Sequence, residues 1–332
     1  MAADYVLGLD GGNTKTIALV ARADGAVVGS GRAGCGDLYN NPSPAHALDT
    51  LVSAADLALA AAGLTRADVG AVCGSLAGAD WPEDYAYIRA GLAERGLDRG
   101  DRLLIFNDAL GALRAGAPEG WGVSVVCGTG AAVGVRARDG RFWHTSWWQE
   151  PQGAYQLGMK TLQAVYRAEL GLDPPTHLTA RVLEYYSLPN VEAVLHARTA
   201  REAAEGPAVA RLARVLLDEA AGGDATALAI VREHGAALGD YALVAARRLG
   251  LMAGEFPLVL AGGVLRHPSA LLREALIARV VAAAPGARPR LSRMEPVAGA
   301  LLFALEALGV AIDTPLLERL AASLPPASLF ET

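Results

Sequence analysis

The sequence predicts an α/β protein built from two similar halves. Length is the first ground: 332 residues suit about two domains rather than one. Composition is the second, since 52% hydrophobic and 19% charged residues provide for substantial cores and place the chain in the globular class. The third is a pattern that occurs twice. A strand, a glycine turn, a second strand, an Asp-Gly hairpin and a third strand run through 5–31 and again through 123–143. Gly25 lies 14 residues after Gly11 in the first copy, and Gly140 lies 12 after Gly128 in the second.

Residues 5–10 and 16–22 read as strands, and Asp24-Gly25 is a tight hairpin signal before a third strand over 26–31. Pro42 and Pro44 punctuate the loop ahead of a helix over 45–62, where Ala47, Leu48, Leu51, Ala55 and Leu59 recur at helical spacing. A strand over 69–74, the loop "AGADWPED" and a helix over 84–95 follow. Residues 102–106 form a strand ending in Asn107-Asp108, with a short helix after it. The second copy then begins. Residues 155–250 are mostly helical and alanine-rich, 256–260 is a strand running into "AGGV", and 268–283 is a helix. "PVAGALLFALEAL" (296–308) is a late helix, and the proline-rich tail over 313–332 has no assigned place.

Several function classes are disfavoured by composition. The net charge is −6, so no basic footprint invites nucleic acid or an anionic membrane. Cys35, Cys73 and Cys127 are odd in number and far apart, which signals neither a disulfide framework nor a Cys-x-x-Cys metal knuckle. Reduced cysteines suit a cytoplasmic protein. Asp4 and Asp10 interrupt any apolar leader, and no run reads as a membrane span. A cytoplasmic protein with no nucleic-acid and no membrane partner is expected.

The chemistry is concentrated in the glycine turns. A Walker A loop needs Gly-x-x-x-x-Gly-Lys-Ser/Thr before a helix, and here Lys15 follows Thr14. A Rossmann fingerprint also opens a helix, whereas both turns run into strands. Two readings remain: ordinary hairpins, or a pair of anion-binding nests whose N–H groups clasp a polyphosphate from opposite sides. In the second reading Gly11, Gly12, Asn13, Thr14 and Lys15 form one clasp, and Gly128, Thr129 and Gly130 the other. Only two of the 29 basic residues are lysine, Lys15 and Lys160, so a lysine inside a glycine turn is unusual for this chain. Its compact ammonium suits a crowded phosphate site. Asp10, at a strand end, is placed to hold Mg²⁺ through water. Thr14 and Thr129 offer hydroxyls, although threonine is also simply a good strand former.

In order along the chain, these segments resemble the actin, sugar kinase and Hsp70 ATPase superfamily, and within it the N-acetylglucosamine kinase and BadF/BadG/BcrA/BcrD ATPase family. "GLDGGNTKT" resembles the family's first phosphate loop, "CGTGAAVGV" its second and "LAGADWPED" its first connecting segment. "VLAGGVLR" resembles the adenosine motif and "PVAGALLFAL" the closing helix. The resemblance implies two duplicated ribonuclease-H-like (actin-like ATPase) domains around a nucleotide cleft. The small domain is expected over 1–117 plus 296–312, and the larger over 118–295. ATP and Mg²⁺ are the implied cofactors, a small sugar the implied substrate, and a homodimer the implied assembly. The activity implied is an ATP-dependent kinase of an amino sugar, N-acetylglucosamine first, acting at its 6-hydroxyl. "NDALGA" resembles the family's Asp-Ala-x-Gly segment, which makes Asp108 the implied general base; its plainer reading is a helix N-cap. Gly262 and Gly263 fall in the implied adenosine pocket, or else form a tight strand-to-helix turn.

The match breaks at the sugar. Where the family has Gly-Asp-Glu-Gly-Ser-x-Tyr, this chain has "HTSWWQEPQGAYQLG" (144–158). Anchored on Tyr155 and Gly158, Glu150 falls on the family's aspartate and Pro151 on its glutamate. Glu150 is therefore a candidate sugar contact, and Trp148 a candidate stacking face or a core aromatic. Asp37 occupies the place of the family's sugar-binding asparagine, with Asn40 and Asn41 just beyond. A charged Asp37 favours a free amino sugar, so glucosamine is an alternative substrate. A catalytically impaired relative and a non-enzymatic sugar sensor are further alternatives. So is an ATPase activator of a dehydratase or reductase, but such relatives hold an iron–sulfur cluster with two cysteines per subunit, and the three cysteines here do not fit that pattern.

Overall fold

The chain's computed structural model describes residues 5–201 and 208–331; residues 1–4 (including Asp4), 202–207 and 332 lie outside it. Tyr5–Gly11 (β1) and Thr16–Arg22 (β2) pair antiparallel across the first glycine turn, with Gly11 opposite Thr16. Both strands are buried along most of their length, so they read as nearly continuous apolar runs rather than alternating ones. The Asp24-Gly25 hairpin forms as its residues require: Gly25 takes φ 92°, and its N–H donates to the Arg22 carbonyl at 2.9 Å. Val27–Ala33 (β3) completes the antiparallel trio.

The crossover is a helix, Pro44–Ala61 (α1). Ser43 caps it by accepting from the His46 N–H at 3.2 Å, and Pro44 opens it where no N–H is needed. It returns to Val69–Leu76 (β4), parallel to β1; Pro82–Leu92 (α2) then leads to Leu103–Asn107 (β5), parallel to β4. The first sheet thus has the order β3-β2-β1-β4-β5.

Asp108–Gly116 (α3) carries the chain to the second sheet, where the same plan recurs. Gly122–Cys127 (β6), Ala131–Arg136 (β7) and Phe142–His144 (β8) pair antiparallel, joined by the second glycine turn and by a hairpin in which Gly140 takes φ 89°. A helical stretch follows: Ala154–Glu169 (α4), Leu178–Tyr186 (α5), Val191–Thr199 (α6), Leu212–Ala221 (α7) and Ala225–Arg248 (α8). Phe256–Ala261 (β9) runs parallel to β6. After Leu271–Ala283 (α9), Ala287–Leu291 (β10) pairs parallel with β9. The order β8-β7-β6-β9-β10 repeats the first sheet strand for strand. The fold is α/β with two five-stranded sheets of one plan, as the doubled pattern indicated.

Pro296–Ala307 (α10) packs on the first sheet: Val297, Ala300, Leu301 and Ala304 share a core with Val6, Ile17, Leu19, Ala71 and Cys73. Gly8 allows this, because a Cβ there would sit 2.8 Å from the Leu301 nitrogen. Two elements were not anticipated. One is β10, whose "ARPRL" carries a proline and two arginines on an exposed edge strand, where both are tolerated. The other is Thr314–Ser323 (α11) in the tail, capped by Asp313, which accepts from the Leu316 N–H at 2.9 Å.

Candidate active site

Both glycine turns open on one cleft of about 970 Å³ between the sheets. In the first, the Gly12 N–H donates to the Lys15 carbonyl at 2.9 Å and the Gly12 carbonyl accepts from Gly36 at 3.0 Å. These bonds fix the loop while the N–H groups of Asn13 and Thr14 find no acceptor among the described residues. The second turn is built alike: the Gly128 N–H donates to the Gly130 carbonyl, and Thr129 and Gly130 keep their own N–H groups unused among the described residues. It sits on the start of α4, where Ala154 and Tyr155 donate to the carbonyls of Gly128 and Thr129. Gly153 is compulsory at that contact, since a Cβ would lie 2.2 Å from the Gly130 oxygen. Gly262, at φ 95°, stacks against the backbone of Cys127, and with Gly263 it also lines the cleft. Two nests facing one cavity is the arrangement expected for a polyphosphate.

Two carboxylates enter the same cavity. Asp10 is the penultimate residue of β1, and its pKa is pushed up to about 7 by burial, then by the charges of Asp108 and Glu295. Asp108 is likewise raised to about 7, by burial first and then by Asp80. Asp108 is not the N-cap of α3. That role belongs to Asn107, whose Oδ1 accepts from the Ala109 N–H at 3.1 Å, and Asp108 is the first helical residue. The capping reading fails because Asn107 holds the extended backbone a cap needs (φ −64°, ψ 151°).

Lys15, Arg266 and Arg293 line the cleft, with Glu295 and with Leu324, Pro325, Ala327, Phe330 and Glu331 of the tail. Lys15 donates to the Phe330 carbonyl, and burial lowers its pKa. Another part of the wall is polar and acidic. Asp37 is buried, its Oδ1 accepting from the Tyr39 N–H at 2.8 Å and its Oδ2 from Asn40 Nδ2 at 2.9 Å. The Asn40 amide also donates to Asn13 Oδ1 at 2.6 Å, which ties this wall to the first glycine turn.

Residues 7–304 match the BadF/BadG/BcrA/BcrD ATPase family. The chain belongs to that family. An N-acetyl-D-glucosamine kinase of Dictyostelium discoideum is 26% identical over 318 residues, 92% of this chain and 99% of the relative. An N-acetylmuramic acid/N-acetylglucosamine kinase of Clostridium acetobutylicum is 25% identical over 274 residues, 81% and 88% of the two chains. Among solved structures, a candidate N-acetylglucosamine kinase from Chromobacterium violaceum superposes with a TM-score of 0.67 at 24% identity, covering 92% of this chain and all of its own. A ROK family glucokinase from Streptomyces griseus, solved with glucose and AMPPNP, gives 0.59 at 17% identity, covering 90% and 98%. These structures share the two-lobed α/β fold.

For a BadF/BadG/BcrA/BcrD family member, the residues expected to contact a sugar are only partly gathered at the cleft. Asp37 and Asn40 line the cleft, but Asn41, Trp148 and Glu150 do not. The Asn41 amide is spent on the carbonyls of Cys35 and Asp37, at 3.0 and 2.7 Å. Glu150 is exposed; its backbone N–H meets the Tyr241 hydroxyl and its carbonyl accepts from Gln156. Trp148 is 65% exposed and borders a smaller hollow with Trp81 and Trp143, while its neighbour Trp147 reaches the cleft. Both tryptophans of the short 3₁₀ turn Ser146–Trp148 border the hollow and only Trp147 also reaches the cleft, which spacing alone does not reveal. Missed by the sequence reading were Asp80, Ser146 and Tyr39, all in the cleft wall. Nothing in the "GADWPED" loop marks Asp80 over Asp84.

Proposed function

We propose that the protein is an ATP-dependent kinase of an amino sugar, N-acetylglucosamine first, and that it phosphorylates the 6-hydroxyl. The observation that carries this reading is Asp108: a carboxylate at the start of α3, in the cleft that both glycine turns face, near the polar wall of Asp37 and Asn40. Sequence relatives named as N-acetylglucosamine kinases support the substrate class.

The turns at 11–15 and 128–130 hold the polyphosphate through unspent backbone N–H groups, and Gly262 and Gly263 leave room for the adenosine. Asp10, in the cleft beside the first glycine turn, is the residue that would hold Mg²⁺, since that ion takes few carboxylates. The ion, when bound, offsets charge on the transferring phosphoryl group. Asp108 accepts the proton of the sugar hydroxyl as that oxygen attacks, and its raised pKa makes it a better base than an ordinary carboxylate. Residues 1–117 plus 296–312 form one lobe in this reading and 118–295 the other, and α10 packing on the first sheet supports it. The family resemblance is the support for a cytoplasmic homodimer. No helix among the described residues is long and apolar enough to cross a membrane. The activator reading finds little support, because Cys73 and Cys127 are buried, with thiols pushed up by that burial.

The test is ATP-dependent phosphorylation of N-acetylglucosamine, glucosamine and glucose, with the product's phosphate mapped, in wild type, Asp108→Asn and Asp10→Asn. Asp108→Asn is expected to lower kcat about 10²–10⁴-fold while shifting the ATP KM little. Asp10→Asn is expected to weaken Mg²⁺-dependent turnover. Near-normal turnover by a folded Asp108→Asn protein would leave the mechanism without its base.

A further inference from the structure

With Glu150 turned out to solvent, the sugar end lacks the carboxylate that the sequence register assigned to it. Another carboxylate in that wall has been prepared with unusual care. Asp80 Oδ1 accepts from Ser146 Oγ at 2.7 Å and from Asn107 Nδ2 at 3.0 Å. Asp80 Oδ2 has no donor among the described residues, although the side chain lines the cleft.

The group that holds Asp80 is itself held. Ser146 has φ 27°, a left-handed backbone that a residue with a side chain keeps only when its surroundings impose it. Its hydroxyl also lies 2.6 Å from His144 Nδ1, and His144 Nε2 lies 3.0 Å from the Tyr85 hydroxyl. Burial depresses the His144 pKa to about 4, so the ring is neutral and carries one proton. The single Ser146 proton goes to the Asp80 carboxylate, so Ser146 Oγ accepts from Nδ1–H. Nε2 is then bare and accepts from Tyr85. Every donor in the chain Tyr85, His144, Ser146, Asp80 points the same way, and the chain passes from the first sheet's half to the second and back.

We propose that Asp80 is a substrate-positioning residue whose Oδ2 accepts a hydroxyl of the bound sugar, held in place by Ser146, His144 and Tyr85. The assignment rests on the kinase reading. A carboxylate with one oxygen satisfied by the protein and one left over is suited to select a ligand that brings a donor. It discriminates against an analogue with that hydroxyl removed, because the oxygen is then left unpaired.

Steady-state kinetics on wild type, Asp80→Asn and Ser146→Ala, with the natural sugar and its monodeoxy analogues, test this. Asp80→Asn is expected to raise the sugar KM about tenfold or more, as loss of a hydrogen bond to a charged group does, with the ATP KM within about twofold. One monodeoxy analogue is expected to lose most of that difference, since its missing hydroxyl is the one Asp80 receives. Ser146→Ala keeps the carboxylate and removes its orienting donor; the expected rise in sugar KM is smaller, about threefold, with the same analogue pattern. An unchanged sugar KM in folded Asp80→Asn, or an equal penalty for every analogue, overturns the assignment. Should Asp80→Asn fail to fold, an unchanged KM in Ser146→Ala overturns it equally. Absence of sugar phosphorylation by wild type itself would instead sink the kinase reading, which keeps the two failures apart.

Discussion

Asp10 and Asp108 are held at a cost to the fold. Each carboxyl rises from the usual 3.8 to about 7, chiefly through burial, and the Asp108 charge adds to the rise at Asp10. The folded protein therefore binds these protons more tightly than the unfolded chain. Their contribution favours folding below about pH 4 and is lost as pH climbs to about 7, where both groups must ionise in place. At roughly 1.4 kcal/mol per unit the ceiling is about 4 kcal/mol for each, reduced by cleft water that reaches both side chains. Asp108→Asn is thus expected to be more stable than wild type at pH 8, by roughly 3 °C or more in Tm, and to lose that advantage near pH 4. Thermal unfolding without Mg²⁺ at the two pH values measures it. Activity should move the opposite way: kcat/KM for the wild type is expected to rise through about pH 7 as Asp108 loses its proton, and then level off. A flat profile between pH 6 and 8 would mean that Asp108 is ionised throughout.

At the scale of elements, the crossing of α3 and α10 decides how the two halves are joined. Gly299 makes it possible: a Cβ there would lie 1.9 Å from the Gly111 carbonyl oxygen and 2.8 Å from the Ala115 nitrogen. Backbone cannot yield as a flexible side chain can. Gly299→Ala is expected to destabilise by about 1–3 kcal/mol, read as a lowered denaturation midpoint, and to reduce activity because Asp108 stands on the displaced helix. Elements whose signal is local were legible in the sequence: the glycine turns, both Asp-Gly hairpins and the capped α1. The duplication followed from them, since turn chemistry repeats wherever the plan repeats. β10 was hidden because edge strands accept Pro289 and arginine, so its sequence does not alternate. The helix α11 did carry a signal, Asp313 followed by Pro315, but the surrounding prolines obscured it. The site divided in the same way. Asp10, the turns and Asp108 sit at strand ends that periodicity locates. Asp80 and Ser146 become a pair only when the halves meet, and Glu150 and Trp148 were displaced by a 3₁₀ turn that register arguments cannot see.

At the scale of the molecule, the cleft has walls from both halves, and the contacts between the halves beside Asp80 are made by side chains. Tyr39 and Trp147 meet edge to face at 5.4 Å, Phe106 and Phe142 at 5.4 Å, and the Asp80–Ser146 and Tyr85–His144 bonds lie beside them. Phe142 and His144 lie two apart on β8, and Ser146 follows in the 3₁₀ turn; all three side chains meet residues of the first half. Such a grip is strong enough to matter and weak enough to open, since each aromatic pair is worth about 0.5–1.5 kcal/mol. A ligand that touches both halves must then favour the gripped arrangement, and the other ligand finds its walls already assembled. Sugar and nucleotide are expected to tighten each other's binding by the same factor, about five-fold or more, because coupling free energy is reciprocal. Calorimetry with a non-hydrolysable ATP analogue, with and without sugar, measures both directions. Phe142→Ala leaves every residue of the two glycine turns in place and removes two ring contacts between the halves, with Phe106 and with Tyr85. It is expected to leave the analogue's affinity for sugar-free protein within about twofold and to shrink the coupling by about threefold or more, the loss of these contacts. Equal affinities with and without the partner ligand in wild type would show that the halves are held together irrespective of what the cleft contains.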